Sequence, residues 1–253
     1  MWKKLKEILS MINPGKNLPD GKVLVILVSI PLMLTLSEYL GQPRNLFQFF
    51  KAVNFTGDRP TVMLLGHIYW SCSCFICYMA IPWMIMHFYM KKSIVECGLR
   101  AQGISKHLGI YAVLFLAVFP FIIIASFGKS FQAVYPFYLP AAGQWPLFMI
   151  FEFFYLAQFF YLEFFFRGYI VFNLEKQMGY LSVLIMTIPY CMIHYHKPFL
   201  EAMAAIVAGI ILGTLALRTR SIWYGVLIHM SVALSMDVIS LLQRGLLMKL
   251  FVP

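Results

Sequence analysis

Residues 151–172 read FEFFYLAQFFYLEFFFRGYIVF, an apolar run with few polar side chains. At about 1.5 Å per helical residue, such a run can cross the roughly 30 Å of hydrocarbon in a bilayer. It must be helical, because irregular backbone in lipid leaves amide groups unpaired, and it lacks the alternation of a barrel strand. The stretch therefore predicts a transmembrane helix whose charged residues include the opposite charges of Glu163 and Arg167.

The rest of the chain has the same apolar character. Hydrophobic residues make up 61% and charged residues 12% of the sequence, and the mean hydropathy is +0.79. Soluble domains are about half apolar and a quarter charged, so a water-soluble fold is excluded. We predict an all-α fold, a polytopic membrane bundle of about seven transmembrane helices, at 22–40, 61–90, 106–128, 147–176, 180–196, 199–217 and 221–243.

The segments outside these spans are predicted from their composition. No cleavable signal peptide is recognised, and residues 1–13 have the pattern of a short amphipathic helix on the membrane surface. The loop at 41–60 and the stretch 128–146 are predicted to be non-helical because of their prolines. We divide the chain at residue 143, since 1–143 holds three spans and 144–253 holds most ionisable residues within spans.

The net charge of +10 does not indicate a nucleic-acid partner. The lysines and arginines lie mainly in short segments between spans, where they set membrane orientation, rather than in one aromatic-interleaved patch. Twelve of them fall on the side of the N-terminus and seven on the other side. We therefore expect the lipid bilayer as a partner, no nucleic acid, a cytoplasmic N-terminus, and a location in the bacterial inner membrane.

Two polar features of the second span are interpreted as structural. The stretch CSCFIC places Cys72, Cys74 and Cys77 at a spacing that neither a zinc site nor a disulfide framework normally uses. We interpret them as small apolar interior residues. His67 stands alone and is interpreted as a hydrogen-bonded interior residue.

Ionisable side chains within spans cost at least about 2.5–3.5 kcal/mol each and are functional candidates for that reason. Glu163 and Arg167 are four residues apart and so share a helix face. Depth in the membrane can be counted from the predicted inner end of each helix at about 1.5 Å per residue. This count places the candidates in one layer of the membrane. Their depths are roughly 21 Å for Glu163, 22 Å for His194, 25 Å for Glu201 and Asp237, and 13 Å for His229.

The order of these residues resembles the CPBP family, which contains type II CAAX prenyl endopeptidases and bacteriocin-processing or immunity proteins. The resemblance rests on Glu-x-x-x-Arg-Gly at 163–168, on Tyr190 shortly before His194, and on His229 in a later span. It covers about residues 145–243. It implies that residues 144–253 form a helical intramembrane peptidase core.

Two positions depart from the family pattern. Where the family usually has a first glutamate and, after the last histidine, an asparagine, this chain has Leu162 and Ala233. Glu201 and Asp237 are candidates to replace the missing groups. The run from His194 to Glu201 also resembles the His-x-x-Lys-Pro-x-x-Glu stretch of single-glutamate members, which implies a divergent active branch.

The expected activity is endoproteolysis of a membrane protein or peptide, including one that is lipidated or anchored by its C-terminus. Glu163 would be the general base and Arg167 would orient it, while His194 and His229 would position water or the oxyanion. A zinc site of Glu163, His194 and His229 is an open alternative, although a metal-free mechanism is favoured because no HExxH helix is present.

Two other classes of function compete with the peptidase. One is a catalytically inactive homologue that binds peptides as a chaperone or immunity factor. The other is an ion or proton transporter, which would also use membrane-embedded carboxylates and histidines. A transporter is disfavoured because the sequence shows neither inverted repeats nor discontinuous spans.

Overall fold

The computed structural model describes residues 20–100, 104–139 and 144–247, and within these ranges the secondary structure is entirely helical. A short 3₁₀ helix covers Ile94–Cys97. The longer helices are numbered in chain order: α1 (Gly21–Leu40), α2 (Pro43–Ala52), α3 (Arg59–Tyr89), α4 (Ile104–Ser126), α5 (Lys129–Val134), α6 (Trp145–Met178), α7 (Leu181–Met192), α8 (Phe199–Thr219) and α9 (Trp223–Gln243).

The predicted polytopic helical bundle is confirmed. Six helices in the described part of the chain are long and apolar enough to cross a membrane, namely α1, α3, α4, α6, α8 and α9. The fifth predicted span, 180–196, is the exception because α7 ends at Met192. Its twelve residues extend about 18 Å, less than the hydrocarbon thickness. The chain then turns through His194 and Tyr195 to Pro198, before which a helical backbone is disfavoured.

Two segments predicted to be non-helical contain helices. Helix α2 lies within 41–60 because Pro43 occupies its first turn, where a missing amide proton costs nothing. Helix α5 lies within 128–146 because its residues precede Pro136 and include no proline. The predicted surface helix at residues 1–13 lies outside the described residues.

Helix α6 is the central element of the bundle. It packs against α3 on one side and α9 on the other. From Phe164 to Val171 its turns widen to π-helical geometry, and every side chain in that segment is buried. Such widened turns often occur at functional sites. The segment contains Arg167, so the charged part of α6 lies in the middle of the core.

Helices α7 and α8 pack closely through small residues of α8. A β-carbon built at Gly213 would lie 2.8 Å from Cγ1 of Val183 and 2.9 Å from Cε of Met186. Glycine is therefore required at this contact. The close approach brings α7 and the turn after it against the rest of the core.

Candidate active site

The two opposite charges of α6 form a buried ion pair. Nη1 of Arg167 lies 2.9 Å from Oε1 of Glu163, and the side chains are 0% and 1% exposed. The pair follows from their spacing of four residues along one helix. Since each charge alone would be costly in this interior, each makes the other tolerable.

Helix α9 brings a histidine to the same carboxylate. Nδ1 of His229 lies 2.7 Å from Oε1 of Glu163, and its Nε2 lies 2.7 Å from the hydroxyl of Tyr190. With the proton on Nδ1 facing the carboxylate, Nε2 accepts the hydroxyl proton of Tyr190. The helices approach closely because Gly225 faces the carboxylate; a β-carbon there would lie 2.1 Å from Oε2 of Glu163.

Tyr190 of α7 connects the histidines to the ion pair. Its ring lies under the guanidinium of Arg167, with Cζ 4.6 Å from the ring centroid. Its backbone oxygen accepts a hydrogen bond from Nδ1 of His194 at 2.7 Å. That bond fixes the proton of His194 on Nδ1 and leaves Nε2 as an acceptor. His194 thus reaches the cluster through Tyr190 rather than by a direct bond to Glu163.

The sequence-predicted residues therefore fall into two groups. Glu163, Arg167, His229 and, through Tyr190, His194 form one cluster, here called the glutamate cluster. Glu201 and Asp237 were expected in the same layer as this cluster, but the structure places them apart from it, nearer the end of the bundle at which α6 begins. Their catalytic roles stay predictions.

Glu201 belongs to a polar group at that end of the bundle. Nζ of Lys197 lies 3.4 Å from Oε1 of Glu201, one helical turn away. The hydroxyl of Tyr135 lies 3.0 Å from both carboxylate oxygens of Glu201 and 3.0 Å from Nζ of Lys197. Burial lowers the pKa of Lys197, while the neighbouring carboxylate of Glu201 opposes that shift.

Asp237 lies on α9 and Glu152 lies on α6. Asp237 is 0% exposed and Glu152 is 5% exposed. None of their four carboxyl oxygens has a hydrogen-bond partner within the described residues. Both residues are thus buried on the two helices that also carry Glu163 and His229, and these helices pack against each other.

The depth counted for His229 relative to Glu163 was wrong. Glu163 and His229 were placed roughly 8 Å apart in depth by counting about 1.5 Å per residue from the ends of their helices, yet they are in contact. Helix α6 is the cause: Trp145–Met178 spans 34 residues, about 51 Å against roughly 30 Å of hydrocarbon, so counting residues from Met178 does not give a depth in the membrane.

The sequence interpretation missed Glu152, Tyr135 and the role of Tyr190. Glu152 could have been recognised from the sequence. It is an ionisable residue within a span, and such residues are functional candidates for the same reason as Glu163. The two glutamates are eleven residues apart, close to three full turns, and so share a face of α6. Tyr135 had no such signal, since it lies outside every predicted span.

The proposed zinc ligands do not assemble into a metal site. Both ring nitrogens of His229 are engaged, by Glu163 and by Tyr190. Across residues 20–100, 104–139 and 144–247, no group of three His, Cys, Asp or Glu side chains is placed to hold a metal ion. The arrangement does not fit zinc, so no chemical step is derived through a metal.

The cysteines and His67 behave largely as interior residues. Cys74 and Cys77 are buried in the core, and Cys72 is exposed. His67 packs edge-on against the ring of Phe151 with centroids 5.0 Å apart, and its Nδ1 has no hydrogen-bond partner within the described residues. The hydrogen bond predicted for His67 is therefore not formed by that nitrogen.

Comparison with known proteins gave a match to a family model for one region of the chain. Residues 143–235 match the family model described as Rce1-like, type II CAAX prenyl endopeptidase Rce1-like. Neither the curated proteins nor the solved structures gave a match. The matched region contains all four residues of the glutamate cluster together with Tyr190 and Glu152.

Proposed function

We propose that this chain is an intramembrane endopeptidase of the CPBP family, a proposal supported by the match of residues 143–235 to the Rce1-like family model. It cleaves peptide bonds in membrane-associated protein substrates, including ones that are lipidated or anchored by the C-terminus. The attacking water is activated by Glu163. The observation that carries the proposal is a single carboxylate held between Arg167 and His229 inside the bundle.

Each neighbour of Glu163 has a distinct part in hydrolysis. Arg167 keeps the carboxylate ionised and fixes its orientation, so that it can take a proton from water as hydroxide attacks the scissile carbonyl. The proton then passes from Glu163 to the leaving amine. His194 holds the water through its Nε2, and His229 helps to position the water beside the carboxylate of Glu163.

The access route follows from the exposure of the same side chains. Glu163 and Arg167 are sealed from solvent, whereas His229 is 15% exposed. Water and the scissile bond therefore approach the carboxylate from the side of His229 and His194. Exclusion of bulk solvent by the bundle strengthens each electrostatic contact within the site.

A second candidate function is a catalytically inactive peptide-binding protein, acting as a chaperone or immunity factor. It is favoured by the apolar residues Leu162 and Ala233, which occupy positions where the family pattern has a glutamate and an asparagine. Such a protein would use the same interior to hold a peptide without cleaving it.

We expect the purified protein to cleave membrane-anchored C-terminal peptides, and to do so equally with and without a chelator. The reason is that the residues around Glu163 form a proton-accepting site and not a metal site. Products are identified by mass spectrometry, which also locates the cleaved bond. The control is the Glu163→Gln protein prepared in the same way.

Two outcomes of that assay would count against the proposal. Loss of cleavage on chelation, restored by zinc, would contradict the metal-free mechanism. Binding of the peptides without any cleavage, at the same level in the wild type and in Glu163→Gln, would favour the inactive peptide-binding protein.

We also propose a cytoplasmic N-terminus in a bacterial inner membrane. The segments after α3, α6 and α8 lie at one end of the bundle, because Arg220 pairs with Glu175 and the amide of Ile222 donates to the carbonyl of Gly98 at 3.1 Å. Basic residues are more numerous at that end, as expected for a cytoplasmic face.

Reporter fusions after residues 100 and 178 should therefore both give cytoplasmic signals. A fusion after residue 197, at the opposite end of the bundle, should give the periplasmic signal and is the control. A periplasmic signal at residue 100 would reverse the orientation.

A further inference from the structure

Helix α2 lies at one end of the bundle and has an apolar and a polar side. Leu46, Phe50 and, just after the helix, Val53 follow one another at spacings of four and three residues, which places them on one side. No residue of α2 is buried, and Phe49 and Val53 are 58% and 53% exposed. A short amphipathic helix whose apolar side is not covered by protein is typical of a membrane interface.

The neighbouring helices indicate that α2 lies where hydrocarbon gives way to lipid headgroups. His67 of α3 contacts Phe151 of α6, with ring centroids 5.0 Å apart. At that level α6 carries Met149 and Phe153, which are 47% and 69% exposed and in a membrane face lipid. Helix α3 begins at Arg59, eight residues or about 12 Å beyond His67. The end of α2 and the beginning of α3 therefore lie at the level of the headgroups.

A cavity of about 490 Å³ lies between the end of α2 and the first turns of α3. Its volume falls within the range of small-molecule sites, about 300–1,000 Å³. Arg59 is the charged residue of its wall. The apolar part of the wall consists of Phe47, Phe55, Val62 and Met63. The cavity thus combines an apolar surface with one guanidinium.

The wall of the cavity is held by the packing of α2 against α3. A β-carbon at Gly66 would lie 2.6 Å from Cζ of Phe47, so glycine is required for this contact. The rings of Phe50 and Phe55 lie with centroids 4.4 Å apart, and the amide of Phe55 donates to the carbonyl of Phe50 at 2.9 Å. Phe55 is therefore fixed in the turn between the two helices.

The charged groups around the cavity have a positive surplus. Within the described residues Arg59 forms no ion pair, and neither does Lys51, which shares a helix face with Phe47. Asp58 is the acidic residue of this segment, and its carboxylate caps α3 by accepting a hydrogen bond from the amide of Thr61 at 3.0 Å. Residues 51–59 thus contain two cations and one carboxylate, which favours an anionic ligand.

We propose that this cavity binds an anionic phospholipid of the surrounding membrane. The phosphate lies against Arg59, whose planar guanidinium can donate two parallel hydrogen bonds to it, and Lys51 adds a second positive charge. The first part of an acyl chain lies along Phe47, Phe55 and Val62. A soluble anion would leave this apolar wall in water, whereas a lipid covers both the cation and the wall. The site does not involve the glutamate cluster and does not depend on the proposed function.

The test is native mass spectrometry of the full chain in detergent, with added phosphatidylglycerol or phosphatidylcholine of the same acyl chains. The wild type should bind phosphatidylglycerol at lower lipid concentrations than phosphatidylcholine. Arg59→Gln should weaken the binding of phosphatidylglycerol about fivefold, the usual effect of one basic side chain on binding to anionic lipid. Arg44→Gln is the matched control, because it removes the same charge from α2 at a residue that is paired with Glu38; it should bind as the wild type does.

Val62→Ser distinguishes a lipid from a free anion. It places a hydroxyl in the apolar wall and leaves Arg59 unchanged, so it should also weaken the binding of phosphatidylglycerol. Hydrogen exchange of the wild type gives a second readout that requires no variant. Phosphatidylglycerol should slow amide exchange in residues 53–62, and phosphatidylcholine should not.

Three results would overturn the proposal. Equal binding of the two lipids by the wild type would exclude recognition of an anionic headgroup. Equal losses in Arg59→Gln and Arg44→Gln would indicate a general effect of surface charge instead of a site. Displacement of phosphatidylglycerol by inorganic phosphate, with Val62→Ser binding as tightly as the wild type, would identify a free anion as the ligand. None of these readouts depends on whether the protein is a peptidase.

Discussion

Replacing Glu163 with glutamine should abolish proteolysis and leave the folded protein intact. The amide has the shape of the carboxylate and can still accept a hydrogen bond from Arg167, but it cannot take a proton from water. The expected loss is about 10²–10⁴-fold, the usual contribution of a positioned general base. The measurement is single-turnover cleavage of a membrane-anchored peptide, with gel filtration in detergent to establish folding.

Glu201→Gln is the matched comparison, because it makes the same chemical change at a carboxylate bound to Lys197 and Tyr135 instead of Arg167. We expect the loss of activity there to be much smaller. If Glu163→Gln keeps its activity and Glu201→Gln destroys it, then Glu201 is the base. If neither change affects a cellular function that requires the protein, the inactive peptide-binding protein is the better account.

The features that the sequence predicted correctly depend on local spacing. The spans follow from the lengths of apolar runs, and the pairing of Glu163 with Arg167 follows from four-residue periodicity within one helix. The family resemblance rested on residues of α6, α7 and α9, and the matched region 143–235 confirms it. In each case the deciding residues are close together in the sequence or belong to a fixed motif order.

The features that could not be predicted depend on how the helices cross. The meeting of Glu163 with His229 requires the full length and course of α6, and the position of Tyr135 is set by a segment outside the spans. The separation of Asp237 from the glutamate cluster has the same origin. Depth counting treats every helix as straight and as ending at the membrane surface, and α6 is too long for that assumption.

Replacing Arg167 with alanine should lower both the folded yield and the activity. The guanidinium is completely buried between the carboxylate of Glu163 and the ring of Tyr190. Its removal leaves Glu163 buried with His229 as its remaining partner, and removing one member of a buried ion pair typically costs about 3–5 kcal/mol. The measurement is the yield of monodisperse protein, together with cleavage per folded molecule.

The double variant Glu163→Gln with Arg167→Ala separates the two effects. It removes the buried negative charge along with its partner, so the folded yield should recover relative to Arg167→Ala while proteolysis stays absent. A double variant that folds no better than Arg167→Ala would mean that Arg167 stabilises the protein through Tyr190 and the packing of α6, and not through Glu163. Such a result would leave Glu163 without its assigned orienting partner, and the mechanism would then depend on His229 to fix the carboxylate.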